Sequence, residues 1–353
     1  MAEVARSNTT RFGVIGRRGA FTVLALFAAA IVYGLVSLDR VFPEEAAGPP
    51  AAEDTRLYSA INQRVHDGDN FYDATADELR TRGYATRPFF NFRLPTLAWM
   101  VGHLPRPAWG QWLLALLACL TAIVWVRALR LEGGAGFVTA GAVLLAGPLL
   151  LTISDVAYLY HEMWAGVLIA LSLGLYARDH RIASAGVGTL ALLVRELALP
   201  FAVLMLIAAM KDKNRREGAA WLGGVVVFAL ALAAHAYAAG QRITPADPAN
   251  ASWIQFGGWP FVLRTSAWNS YLILAPAWAT AVALPVALLG FAGWRGATGI
   301  RVALTVGGYC CAFLVAGRMD NSYWGLLYTP LAPLGMLYAA PVVADLRRAI
   351  RGG

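Results

Sequence analysis

A chain of 353 residues that is 58% hydrophobic and only 14% charged, with a mean hydropathy of +0.55, is too apolar for a soluble enzyme, in which charged residues run at about 25%. Its net charge of +8 is not the footprint of a nucleic-acid binder, because no basic run interleaves with aromatic residues outside the apolar segments. The excess of Lys and Arg reads instead as the cytoplasmic charge of a polytopic membrane protein. Cys119, Cys310 and Cys311 all sit inside apolar runs without metal-ligand spacing, and neighbouring cysteines seldom bond to each other.

Residues 1–18 carry Arg6, Arg11, Arg17 and Arg18, which keeps the N-terminus cytoplasmic, and Ala20 to Leu38 reads as the first span. A cleavable signal peptide is the alternative, with small residues at Ala28 to Ala30, but no clear cleavage site follows the apolar run. Residues 39–107 then form a long extracytoplasmic loop. It opens on a Pro/Ala/Gly-rich linker, VFPEEAAGPPAAEDT, and two short amphipathic helices follow. In the first, Leu57, Ile61 and Val65 recur every four residues up to Asp67-Gly68; the second runs from about Asp69 to Leu79 and stops near Gly83. Phe89, Phe90, Phe92 and Trp99 beside Arg87, Arg93 and Arg106 suit the headgroup level, so this piece lies in the interface or re-enters shallowly.

The remaining spans follow from apolar length and basic flanks. Trp109–Val126 returns to Arg127 and Arg130, Ala135–Ile153 leads out to the short loop SDVAYLYHE, and Met163–Ala177 comes back. Ala219–Ala239 goes out to a loop at 240–268 with Trp253, Trp259, Trp268 and one glycosylation sequon, Asn250-Ala251-Ser252. Tyr271–Trp294 comes in, Val302–Gly317 goes out to GRMDNSYW, and Tyr323–Val343 returns to a tail with Arg347, Arg348 and Arg351.

The stretch 182–210 is the most informative. It is apolar except for the adjacent pair Arg195–Glu196, and a charge at the bilayer centre costs about 2.5–3.5 kcal/mol on insertion scales. Arg178 and Arg181 precede it; Lys211, Lys213, Arg215 and Arg216 follow it. Both ends are therefore expected on the cytoplasmic side, which requires an even number of crossings. A hairpin of two short helices broken near Arg195–Pro200 satisfies this, since Pro200 removes a helix hydrogen bond and turns Leu199 away from helical angles. The alternative is one long tilted helix with a structural ion pair. Counting the hairpin as two gives an all-α polytopic protein of about ten crossings, a single integral membrane domain over 1–353 of the inner or plasma membrane, with both termini cytoplasmic.

This topology brings polar groups together outside the membrane. In HDGDNFYDATADE, Asp69, Asp73 and Asp77 share one helix face. Asp69 serves equally as an N-cap or as a functional carboxylate, and Asp73 and Asp77 read as solvated partners of Arg80. Asp39 reads as a plain interface charge beside Arg40. His161 and Glu162 open a span, Arg195 and Glu196 sit at the hairpin tip, and Arg318, Asp320, Asn321, Tyr323 and Trp324 start the last span. Each has a bland role as well: Glu162 at a helix N-terminus, His161 as an interface residue, Arg318 as a snorkelling anchor. A carboxylate with several arginines is the set needed to deprotonate a hydroxyl and hold a phosphate leaving group.

With the motifs DGDNFYDA, RGYATRPFFNFRLPTLAW, HEMWAG, LLVRELALPF and GRMDNSYWGLLYTPL on a long first outer loop, the chain resembles the GT-C superfamily of membrane glycosyltransferases. The resemblance implies transfer of a sugar from a polyprenyl-phosphate carrier to a hydroxyl of a lipid or glycan acceptor on the extracytoplasmic face, by inversion. Residue by residue, it implies Asp69, with Asp67 as the near alternative, as the general base. It implies Arg93, Arg195 and Arg318 as carrier-phosphate ligands; His161, Glu162, Glu196, Asn321 and Tyr323 complete the substrate-binding candidates. No pattern indicates a metal, and a divalent cation stays open. The rival classes are a transporter or flippase of a lipid-linked substrate and a non-catalytic membrane assembly partner; no fixed-period repeat favours the transporter.

Overall fold

The computed structural model describes residues 10–42, 50–249, 252 and 254–352. Arg6, linker residues 43–49, Asn250 and Ala251 of the sequon, and Trp253 lie outside the described residues. The main helices are α1 (Arg17–Val36), α2 (Pro50–His66), α3 (Phe71–Thr81), α4 (Thr96–Gly102), α5 (Gly110–Leu129), α6 (Ala135–Leu149) and α7 (His161–Ala177). There follow α8 (Arg181–Val194), α9 (Leu199–Lys211), α10 (Arg215–Gly240), α11 (Gly258–Ser266), α12 (Trp278–Gly293), α13 (Gly296–Val315) and α14 (Met336–Arg351). Among the described residues there is no strand beyond one isolated bridge between Arg87 and Ala249.

Among the described residues five helical segments are long and apolar enough to cross a bilayer: Arg17–Val36, Pro107–Leu129, Ala135–Ile153, Arg215–Gly240 and Gly296–Val315. The pair Met319–Leu327 and Ala332–Arg351, bent by 66°, makes a sixth if taken as one span. The chain thus has the helical complement of a membrane protein. Helices α7, α8 and α12 are apolar but shorter.

Two expected spans are interrupted. In place of an unbroken helix from Tyr271, a short turn at Ser270–Leu274 precedes α12, because Pro276 lies between them and cannot donate to a helix ladder. The stretch expected as the last span is 3₁₀ through Leu327 and resumes as α14 only at Met336. Pro330 and Pro333 occupy the gap.

The described chain divides into two compact units. The first takes the described residues of 1–47, 124–149 and 256–353. In it Ala20, Leu289, Val342 and Leu346 form a buried cluster, and the N-terminal segment is anchored by Thr10, whose backbone N–H and hydroxyl both donate to Asp345 at 2.6 and 2.7 Å. Helix α12 approaches the chain before α14 closely enough that a Cβ on Gly290 would stand 1.8 Å from the Gly335 carbonyl oxygen, the backbone contact that small residues permit between membrane helices.

The second unit takes 48–123 and 150–255. The four-residue period of α2 becomes its core face: Leu57, Ile61 and Val65 pack with Phe71, Leu79, Phe92 and Ala98. Helix α7 is buried along almost its whole length. It turns at Asp179, a residue at φ 62°, into α8. The two run antiparallel, since Ser172 donates to the Ser184 carbonyl at 2.7 Å near the turn and Glu162 meets Arg195 at 2.6 Å far from it.

Candidate functional site

The site lies within the second unit and begins at the break between α8 and α9. Arg195 leaves the helix for extended angles (φ −148°, ψ 116°). Glu196–Ala198 make one 3₁₀ turn, and α9 opens with Pro200 in its first turn, where the missing N–H costs nothing. The Arg195 guanidinium, 1% exposed, donates from Nε to Glu162 Oε1 at 2.6 Å and from Nη1 to Glu196. Glu162 stands in the first turn of α7 and Arg195 at the end of α8, so each charge also complements its own helix dipole. A buried guanidinium is tolerable only with such partners.

Two other segments close on this pair. From the first loop, Tyr58 on α2 accepts a hydrogen bond from Arg93 Nε at 3.0 Å and sets its ring edge-on to His161, with centroids 5.0 Å apart. Arg93 holds φ 54°, a strained value for a residue with a side chain. One turn of helix before Tyr58, Asp54 accepts from the Tyr84 hydroxyl at 2.9 Å. Tyr160, just before α7, lies in the field of Asp54, Glu162 and Tyr58. Burial, with Asp54 and Glu162 adding to it and Arg93 opposing, pushes the Tyr58 phenol up to about 12, so Tyr58 keeps its proton at any physiological pH. Glu196 sits among Arg195, Arg93, His161 and His235; His235, on α10, is buried with Nδ1 3.3 Å from the Tyr72 hydroxyl. Within this cluster His161 is 5% exposed and its Nδ1 has no hydrogen-bond partner among the described residues.

Of the sequence candidates, Arg93, His161, Glu162, Arg195 and Glu196 therefore come together. Asp69 and Asp67 stand apart from these contacts. Asp69, with a side chain 46% exposed, pairs with Arg64 at 2.6 Å, and Asp67 accepts from Gln63 at 2.9 Å. Asp69 is not the cap of α3; that role belongs to Asn70, whose side chain accepts from the Tyr72 N–H at 2.9 Å. The reason is the turn that ends α2: Gly68 at φ 101° lets the Asp69 N–H return to the Arg64 carbonyl, so Asp69 closes the preceding helix. Asp73 pairs with Arg242 and Asp77 with Arg64, while Arg80 turns to Asp247 instead, with two bonds at 2.8 and 2.9 Å. Arg80, followed by the Thr244 N–H, holds the Asp247 carboxyl well below the usual range. Arg318, Asn321 and Tyr323 belong to the first unit: Arg318 pairs with Asp320 at 2.8 Å, Asn321 lies at a kink of the 3₁₀ segment, and Tyr323 is buried. Among the described residues no group of three or more His, Cys, Asp or Glu is arranged to hold a metal ion.

Sequence reasoning missed Asp54, Tyr58, Tyr84, Tyr160 and His235. The signal for the first two was present: Asp54 and Tyr58 are four apart and stand three residues before Leu57 and Ile61, hence next to that stripe on α2. Comparison with protein-family models, with curated proteins and with solved structures finds no match.

Proposed function

We propose that the chain is a GT-C-like integral-membrane glycosyltransferase that moves a sugar from a polyprenyl-phosphate carrier to a hydroxyl of a lipid or glycan acceptor. In this reading it has about ten crossings, with α8 and α9 as a re-entrant pair, both termini cytoplasmic in the inner or plasma membrane, and the site on the extracytoplasmic face. One observation carries it. Four chain-distant pieces, around Asp54–Tyr58, Arg93, Tyr160–Glu162 and Arg195–Glu196, bring acids, guanidinium groups and a histidine into one largely buried cluster. Ionisable groups held in a membrane protein's interior are expensive and mark functional sites.

Within that reading Asp54 is a better general base than Asp69 or Asp67, because Asp69 is committed to Arg64 at the surface whereas Asp54 is half-buried beside the cluster. Asp54 takes the proton of the acceptor hydroxyl as its oxygen bonds to the anomeric carbon. The bond from that carbon to the carrier phosphate breaks on the opposite face, and the phosphate leaves with the electron pair next to Arg93. The test is an in vitro reaction of purified protein with polyprenyl-phosphate sugars and a membrane glycolipid extract as acceptor, read by mass spectrometry. Product is expected with the wild type and at least about 10²-fold less with Asp54→Asn at unchanged thermal stability. Full activity in that variant refutes the base. Movement of lipid-linked sugar across vesicles without new bonds identifies a flippase instead, and neither activity leaves an assembly partner.

A further inference from the structure

Resting on that reading of the site, we propose that the floor of the cluster recognises an uncharged hydroxyl of the transferred sugar through His161 Nδ1, and that Arg195 is a positioning residue rather than a ligand of the carrier phosphate. Arg195 is 1% exposed and spans two carboxylates, Glu162 at 2.6 Å and Glu196. A guanidinium already facing two acids offers a phosphate no net positive field, and bringing an anion there means displacing one of them into an interior that does not solvate it. Arg93, which donates to the Tyr58 phenol, is the second guanidinium of the cluster and the phosphate partner in this reading.

What the floor lacks is a neutral hydrogen-bonding group. Buried polar atoms are almost always paired, and one without a partner calls for a bound molecule or water. His161 Nδ1 is such an atom. Its ring packs in a T-shaped contact with Tyr58 and its backbone lies in the first turn of α7, which limits the freedom of the nitrogen. Glu196, held in place by Arg195, shares the field of the ring and is an acceptor of the kind that sugar hydroxyls use. A ring hydroxyl fits this set; a phosphate oxygen in the field of the Glu196 carboxylate does not.

The experiment uses the full chain in nanodiscs and measures Kd for bare polyprenyl monophosphate and for the same carrier bearing glucosyl, mannosyl, galactosyl or arabinofuranosyl groups. At least one glycosylated carrier is expected to bind about ten-fold more tightly than the bare one, the worth of one or two buried hydrogen bonds. His161→Phe should bring that preference to within two-fold while leaving bare-carrier affinity unchanged, and His161→Gln, which restores a polar group, should recover part of it. Arg195→Lys should leave bare-carrier affinity within two-fold, whereas Arg93→Gln should lower it about ten-fold. Should Arg195→Lys not fold, the charge-free combination Glu162→Gln, Glu196→Gln and Arg195→Met carries the same comparison. A preference that survives His161→Phe shows that Nδ1 holds an internal water only, and loss of bare-carrier binding in Arg195→Lys makes it a phosphate ligand; either overturns the inference. Failure of the wild type to bind the bare carrier at all overturns the glycosyltransferase reading itself.

Discussion

Removing the arginine of the buried triad is the sharpest test of how the second unit is held together. In Arg195→Met an unbranched apolar stem is kept, but Glu162, 2% exposed, and Glu196, 16% exposed, are left without their shared cation. Breaking a buried pair from one side costs about 3–5 kcal/mol, because the surviving charge stays desolvated. With the unfolding entropy of a chain this size, that lowers the thermal midpoint by about 4–7 °C. Neutralising all three groups together, with Glu162→Gln and Glu196→Gln added, removes the stranded charges, and such replacements are often neutral; the triple variant is expected within about 2 °C of the wild type. Thermal unfolding of detergent-solubilised protein, followed by tryptophan fluorescence, measures both. A midpoint unchanged in Arg195→Met, or a triple variant as damaged as the single one, refutes the account of Arg195 as the shared counter-ion of both acids.

Asp247→Asn should release the segment 241–249 from α3, since Arg80 loses its two-bond partner; trypsin is expected to cut after Arg242 at least about five-fold faster than in the wild type, which Arg80 and the rest of the contact protect. The carboxyl of Asp247 is held below its unfolded value, so its contribution is present above the ordinary aspartate pKa and is lost only as pH falls through the lower folded value. Protection of Arg242 should therefore persist at pH 4 in hydrogen exchange, and release already at pH 5 contradicts it. Asn70→Ala should cost about 1 kcal/mol through the lost cap of α3 and Asp69→Ala less than about 0.5 kcal/mol, compared as thermal midpoints; the reverse order would return the cap to Asp69. Gly290→Ala places a methyl 1.8 Å from a backbone oxygen that cannot swing aside, and should lower stability by at least about 3 kcal/mol in the same assay. A reporter fused after residue 196 is expected to be extracytoplasmic, and a cytoplasmic signal rejects the re-entrant pair.

What could be seen in the chain beforehand depended on how local the cause was. The apolar period of α2 is a property of neighbouring turns, and Leu57, Ile61 and Val65 are buried in one cluster. The helix starts earlier than the linker composition predicts, for an equally local reason. Prolines around position 50 read as linker, yet proline suits the first turn of a helix, and Pro50 opens α2. Asp54, at the edge of that linker, thereby joins Tyr58 on α2 beside the candidate site. Of the three acids spaced by four at 69, 73 and 77, Asp69 does not cap α3, because Gly68 at positive φ lets it close the previous helix. Hydropathy windows likewise average across Pro276, Pro330 and Pro333, which divide two of the expected spans.

The partner of Arg195 shows where sequence reading stops and what would carry it further. The adjacent Glu196 was visible, whereas Glu162 lies 33 residues away. Nothing in composition links those positions. Helices α7 and α8, however, are joined by a tight turn at Asp179, and an antiparallel pair with so short a connection brings residues at equal distance from the turn to the same level. Glu162 and Arg195 are such a pair, as are Ser172 and Ser184. Once the turn is fixed, an acid in the first turn of one helix and a cation at the end of the next must meet. The stranded charge in an apolar run is then neutralised by topology rather than by its neighbour alone, and the break that exposes Arg195 to Glu162 is what builds the site.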